Sequence, residues 1–109
     1  MAEKAGPAAQ KKSARTRNHK AMKLDGTLGM REAETVRRDL AQAIGGGSAR
    51  IDVRELTTVD TSIVQLLIAA TRSAAEQGGR VEIVGFDGGI LSAFMHSIGV
   101  SAKEINVAA

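Results

Sequence analysis

Between Leu56 and Ser62 the chain gathers four hydroxyls and one carboxylate in the run Leu56-Thr57-Thr58-Val59-Asp60-Thr61-Ser62. A serine or threonine hydroxyl in such a run can receive a phosphoryl group. With a general base beside it, the same hydroxyl can attack an acyl carbon. His96 would complete a serine, histidine and aspartate set with Ser62 and Asp60. The hydrolase reading lacks its other parts, because no Gly-x-Ser-x-Gly turn surrounds Ser62 and no oxyanion loop accompanies it. A third reading needs no chemistry at all: Asp, Thr and Ser are the residues that commonly open a helix. The expectation is a protein that is not an enzyme.

The elements around this run decide what it can do. Ala49 to Leu56 reads as a strand, with Ile51, Val53 and by continuation Glu55 on one face and Arg50, Asp52 and Arg54 on the other. Leu56 and Val59 mark its buried end. Ser62 to Gln77 reads as a largely buried helix of Ile, Val, Leu and Ala, stopped by Gly78-Gly79. Asp60 then caps that helix, and Thr61 and Ser62 fall in its first turn. Free backbone N–H groups and a partial positive charge favour an anion there. A phosphate on Ser62 would meet those donors, and would also meet the like charge of Asp60.

Upstream, Ala21 to Leu24 reads as a short strand, Asp25-Gly26 as a turn, and Met30 to Ile44 as an amphipathic helix ended by Gly45-Gly46-Gly47. Those glycines are a connector and not a phosphate loop, since no Lys-Ser or Lys-Thr follows. Downstream, Arg80 to Gly85 reads as a strand, and Gly88 to Ser97 as a helix with Asp87 as its cap. Ile105 and Val107 suggest a last strand or short helix. Met30, Phe94, Met95 and Ile98 divide between core packing and an exposed adaptable patch, with core expected for most. Strands alternating with helices predict an α/β layer with parallel neighbouring strands.

Composition narrows the function further. The chain of 109 residues suits one domain and is 43% hydrophobic. Phe86 and Phe94 are its only aromatics, so the core is aliphatic and a base-stacking nucleic-acid surface is not expected. The absence of cysteine excludes disulfides, thiolate metal sites and a cysteine nucleophile. His19 and His96 lack metal-ligand spacing, so neither a metal nor a cofactor is expected. The longest apolar run, Leu66 to Ala70, is too short to span a bilayer. No apolar stretch follows the basic residues near the N-terminus, so a secretory signal is not expected and a cytoplasmic location is.

Charge is unevenly placed. Residues 1–23 carry Lys4, Lys11, Lys12, Arg15, Arg17, Lys20 and Lys23 against Glu3, a net of +6, while the remaining residues carry eight basic and eleven acidic groups, a net of −3. Residues 1–19 have no apolar periodicity and read as a disordered basic tail ahead of a domain over 20–109. Such a tail is a solvated extension, or a transient contact for an acidic partner, RNA or an anionic membrane surface.

The order of these pieces resembles the STAS domain family. The run Ile51 to Leu67 is similar to that family's central motif, a strand ending in hydrophobic-Asp-[Ser/Thr]-[Ser/Ala] that opens a helix. Leu24-Asp25-Gly26-Thr27-Leu28 is similar to its first strand and turn, Glu76 to Gly85 to its helix end and following strand, and Leu91 to Val100 to its short helix and closing Ile98-Gly99-Val100. The resemblance covers about residues 20–107. It implies a single STAS-like α/β domain, with a mixed sheet of about four to five strands and helices packed against it.

Function is implied in the same way. In the anti-sigma factor antagonist branch, the serine two places after the aspartate is phosphorylated by a partner kinase, and phosphorylation releases the partner. Ser62 matches that position and Thr61 is its neighbour. That branch carries Gly after the serine, where this chain has Ile63, whose branched side chain is expected to narrow access. The run Val59 to Leu67 is closer to chemotaxis-associated members, many of which have Ala at the Ser62 position. The implied surface is Asp60, Thr61 and Ser62 with Gln65, Thr71 and Arg72 on the following helix. The implied partner is a kinase-like anti-sigma factor, a chemotaxis or signalling protein, or, in the phospholipid-transport branch, a transporter ATPase bound without phosphorylation.

Overall fold

The apolar spacing along the middle strand changes from every second residue to every third. In the computed structural model, which describes residues 20–108, strand β2 covers Ser48–Val59. Its buried side chains are Ala49, Ile51 and Val53, then Leu56 and Val59. The change comes from two irregularities against strand β1, Lys20–Leu28. Lys23 pairs with Asp52 but Asp25 with Glu55, and Gly26 pairs with Leu56 but Thr27 with Thr58. Each jump inserts an extra residue in β2 and returns the next apolar residue to the core face. Plain alternation put Glu55 inward; with the bulge it is exposed. Asp25-Gly26 is not a turn either. Gly26, at φ +71°, lies inside β1 at the second jump, and the strand continues to Leu28.

The sheet has the order β1-β2-β3, where β3 is Arg80–Val84, and both pairings are parallel. Among the described residues the sheet is therefore parallel and three-stranded, where a mixed sheet of four to five strands is expected from the resemblance. Each connection between strands passes through a helix that returns the chain to the same end of the sheet, which makes neighbours parallel. Beyond β3 there is one parallel bridge, Ile83 with Val107. Ile83 N–H donates to the Asn106 carbonyl at 2.8 Å, and Ala108 N–H donates to the Ile83 carbonyl at 2.9 Å. A 3₁₀ turn at Ala102–Glu104 precedes that segment and leaves it short. The tail expected over residues 1–19 lies outside the described residues.

Among the described residues three α-helices connect or follow the strands: α1 at Ala33–Ala43, α2 at Thr61–Glu76 and α3 at Ile90–Ser97. The first begins later than expected because residues 30–32 form a turn, with Glu32 N–H donating to the Gly29 carbonyl at 3.0 Å. The third also begins later. Gly89 is its N-cap residue, without a side-chain cap, and Asp87 sits in the preceding turn. Apolar residues of the strands and helices form one cluster in which Ile51, Ile63, Leu67, Ile83, Leu91 and Met95 are among the most buried. Phe94 packs against that cluster, while Met30 and Ile98 are exposed.

The opposite face of the sheet is charged. Arg54 pairs with Asp52 at 2.7 Å, and Glu82 receives Arg50 at 3.5 Å and Arg80 at 3.3 Å. Exposed pairs of this kind add little stability. Their effect is to fix which face meets water. Parallel sheets commonly bury both faces; among the described residues this one buries its helix-covered face alone.

The sharpest steric constraint lies where the turn after α2 meets the turn before β2. A methyl on Gly79 would lie 1.2 Å from the Gly47 carbonyl oxygen, whereas a methyl on Gly45 would meet nothing within 4 Å. Backbone meets backbone at Gly79, so no side chain can move aside. Gly79→Ala is expected to destabilise the fold by about 2 kcal/mol or more, with Gly45→Ala near neutral. Urea unfolding of the two variants checks this; equal midpoints would contradict it.

Candidate functional site

Three parallel strands end at one edge of the sheet, which is where open α/β sheets place their ligand and partner sites. The loop from Gly29 to Glu32 follows β1, Asp60 follows β2, and residues 85–89 follow β3. Because β2 is the middle strand, the Asp60-Thr61-Ser62 turn sits at the centre of that edge.

Asp60 has an extended backbone, φ −122° and ψ −179°, and is the N-cap of α2. Its Oδ1 accepts the Ser62 N–H at 3.0 Å, the Ile63 N–H at 3.4 Å and the Ser62 hydroxyl at 2.5 Å. Its own carbonyl accepts the N–H groups of Ile63 and Val64. The carboxylate thus takes up donors that the helix itself leaves unpaired. The Ser62 hydroxyl is the main cause holding the Asp60 carboxyl below the usual range; N–H groups of Ile63, Ser62 and Met30 add to it, against a partial opposition from burial. The Met30 contribution brings the loop after β1 into the site. Gly29 approaches closely as well, since a methyl there would lie 3.1 Å from Asp60 Oδ2. Within that loop Glu32 accepts the Gly29 N–H at 2.8 Å.

Thr61 is exposed and Ser62 half-buried, with its proton directed at a carboxylate. The Ile63 side chain is 0% exposed. It points into the core and does not narrow access to Ser62, contrary to the sequence expectation. Along α2 the exposed positions Thr61, Gln65, Ala69 and Arg72 recur at spacings of four, four and three, which is one helical face. Gln65 is one turn from the site. Arg72 is about 15 Å along the axis from Ser62, and it pairs with Glu104 at 3.1 Å. Thr71 is off this face: it is half-buried and its hydroxyl donates to the Leu67 carbonyl at 2.8 Å.

His96 is not brought to Ser62. It lies in the last turn of α3, beside a pocket it shares with Phe86, Ser92, Met95, Val100 and Ser101. Among the described residues no cluster of His, Cys, Asp or Glu is placed to hold a metal ion, and no helix is long and apolar enough to cross a membrane. A separate apolar groove of about 190 Å³ runs between α1 and α2, lined by Leu40, Ala41, Ile44, Leu66, Ala69 and Ala70. Sequence reading missed Met30 as a neighbour of the turn. The available signal was an apolar residue standing between Gly29 and a run of charged residues.

Comparison with known proteins fits this geometry. The family model described as "Mlab, STAS domain" matches residues 12–105. No curated protein sequence matches significantly. Among solved structures, the anti-sigma factor antagonist SpoIIAA in its unphosphorylated form aligns with a TM-score of 0.61 and 18% identity, covering 84% of this chain and 81% of that one. At that identity the likeness is one of fold.

The site predicts an acid dependence. Asp60 titrates below the usual range, and Asp52 is lowered to about 2, chiefly by its hydrogen bond with Arg54. An aspartate in the unfolded chain titrates near about 3.9. Both groups therefore contribute stability that is complete above that value and is lost as pH falls through the folded values. Asn at position 60 keeps the cap and removes the charge. Asp60→Asn is expected to show a smaller fall in melting temperature than the wild type between about pH 5 and 2. Thermal unfolding across that range checks this, and an equal fall in both proteins would contradict it.

Proposed function

The chain belongs to the STAS domain family, and from that membership we propose that it is a non-catalytic interaction module that docks on a regulatory protein through the Asp60-Thr61-Ser62 turn and the exposed face of α2. Phosphorylation of Ser62 controls the docking. The observation that carries this reading is the Ser62 hydroxyl itself, half-buried and bonded to Asp60 at the head of α2, at the centre of the carboxyl edge. Burial of Ile63 supports it by leaving the approach to Ser62 unobstructed on that side.

The switch has a physical basis. In the unmodified form the Ser62 hydroxyl and the N–H groups of α2 satisfy the Asp60 carboxylate, so docking meets a single, internally hydrogen-bonded negative charge. A phosphate replaces the donated proton with a dianion beside a carboxylate. Desolvating that charge in a contact costs several kcal/mol unless it is paired. A micromolar complex is worth about 8 kcal/mol in total, so the modification is enough to dissolve it. The likeness in fold to an anti-sigma factor antagonist is consistent with this role. The partner class is a kinase-like anti-sigma factor or another signalling protein.

A second reading is favoured by the same short bond. Asp60 already fills the anion-binding end of α2 and opposes a phosphate next to it. On this reading the domain is a constitutive subunit that binds a transporter ATPase without modification.

The readings separate in one experiment. The protein that the purified chain retains from extracts of its own cells is identified, purified and titrated with wild type, Ser62→Ala and Ser62→Asp. The switch predicts that Ser62→Ala binds within about threefold of wild type and Ser62→Asp at least about tenfold more weakly. Equal binding by all three contradicts the switch and leaves the constitutive reading.

A further inference from the structure

Among the described residues three large apolar side chains stand exposed: Met30 at 74%, Ile90 at 40% and Ile98 at 38%. Two of them flank the proposed docking turn. Met30 lies in the loop after β1, and Ile90 opens α3 after the loop that follows β3. With β2 between β1 and β3, the Ser62 turn falls between the two loops. Adjacent strands are about 4.8 Å apart, so the three strand ends span roughly 10 Å. Ile98 lies at the C-cap of α3, the opposite end of that helix from Ile90. Met30 is also close to the turn, because it follows Gly29, where a methyl would lie 3.1 Å from Asp60 Oδ2.

We infer that Met30 and Ile90 are the apolar anchors of the docking surface, one on each side of Ser62, and that the partner is a protein presenting an apolar patch edged with lysine or arginine. The inference rests on the docking turn proposed above and adds which side chains bind and what they meet. Specific interfaces concentrate their binding in a few buried apolar residues within a polar rim. Methionine suits such a role because its side chain adapts to the opposing surface. The charged residues of the three strand-end segments are Arg31, Glu32, Asp60 and Asp87, one basic against three acidic. Glu32 and Asp60 accept from neutral backbone N–H groups and keep their charge, and Asp87 is exposed. This balance complements a basic rim and disfavours nucleic acid or an anionic membrane. It also places a modified Ser62 between the anchors, away from the rim where charge would be solvated.

The test uses the purified partner from the preceding experiment. Met30→Ser and Ile90→Ser are each expected to weaken binding at least tenfold, Asp87→Lys several-fold, and Ile98→Ser less than twofold. Ile98 is the control because its exposure nearly equals that of Ile90. All four positions are exposed, and an unchanged melting temperature confirms that each variant folds. Wild-type binding by both anchor variants, or equal weakening by Ile98→Ser, overturns the inference. If Ser62→Asp still weakens binding in that case, the switch survives without these anchors. If the anchor variants weaken binding and Ser62→Asp does not, the anchors stand and the switch falls.

Discussion

The carboxylate of Asp60 joins the end of β2 to the first turn of α2 and lies against the loop after β1 at Gly29. A helix start left to itself exposes unpaired N–H groups. Here one side chain takes two of them, takes the Ser62 hydroxyl as well, and packs close to Gly29. The position of Ser62 therefore follows from the cap and not from a rigid loop of its own. Any group that disturbs this carboxylate, a neighbouring phosphate above all, acts on the head of α2 and on the Met30 loop together.

That coupling depends on β2 arriving with the correct face inward. Two bulges re-set the strand's side-chain parity, at Val53 to Leu56 and again at Leu56 to Val59. A regular strand would carry Leu56 to the charged face and break the core beneath α2. The bulges and the cap are thus parts of one device: the first bulge brings Leu56 to the core, the second returns Val59 to it, and Asp60 then starts the helix. The charged lattice of Arg50, Asp52, Arg54, Arg80 and Glu82 on the other face adds to the definition of which side is solvated.

Much of this was legible in the sequence. The order of strands and helices follows from hydrophobic periodicity, and the role of Asp60 follows from its residue type before an apolar helical run. The family resemblance drawn from residues 51–67 agrees with the match over residues 12–105. What failed has local physical causes. Alternation places Glu55 inward because a bulge leaves no mark on residue type, yet Glu55 is exposed. Asp25-Gly26 carries the composition of a turn, yet it serves a register shift within a continuing strand. Asp87 looked like a cap, but the helix begins after Gly89, where no side chain caps it. The resemblance implies a mixed sheet of four to five strands, of which the described residues form three parallel strands and one bridge. Contacts across loops, such as Met30 with Asp60, depend on tertiary placement that periodicity does not encode.

The central claim is that the carboxyl edge of the sheet, centred on Ser62, is the surface this domain presents to its partner. Amide hydrogen exchange of the free chain against the purified complex tests it most directly. The account predicts slowed exchange at Met30 to Glu32, at Ser62 to Gln65 and at Gly88 to Ile90, with the amides on the α1 side of the groove between α1 and α2 and of the charged sheet face unchanged. Protection confined to that groove, with the Ser62 turn exchanging as in the free chain, would contradict it.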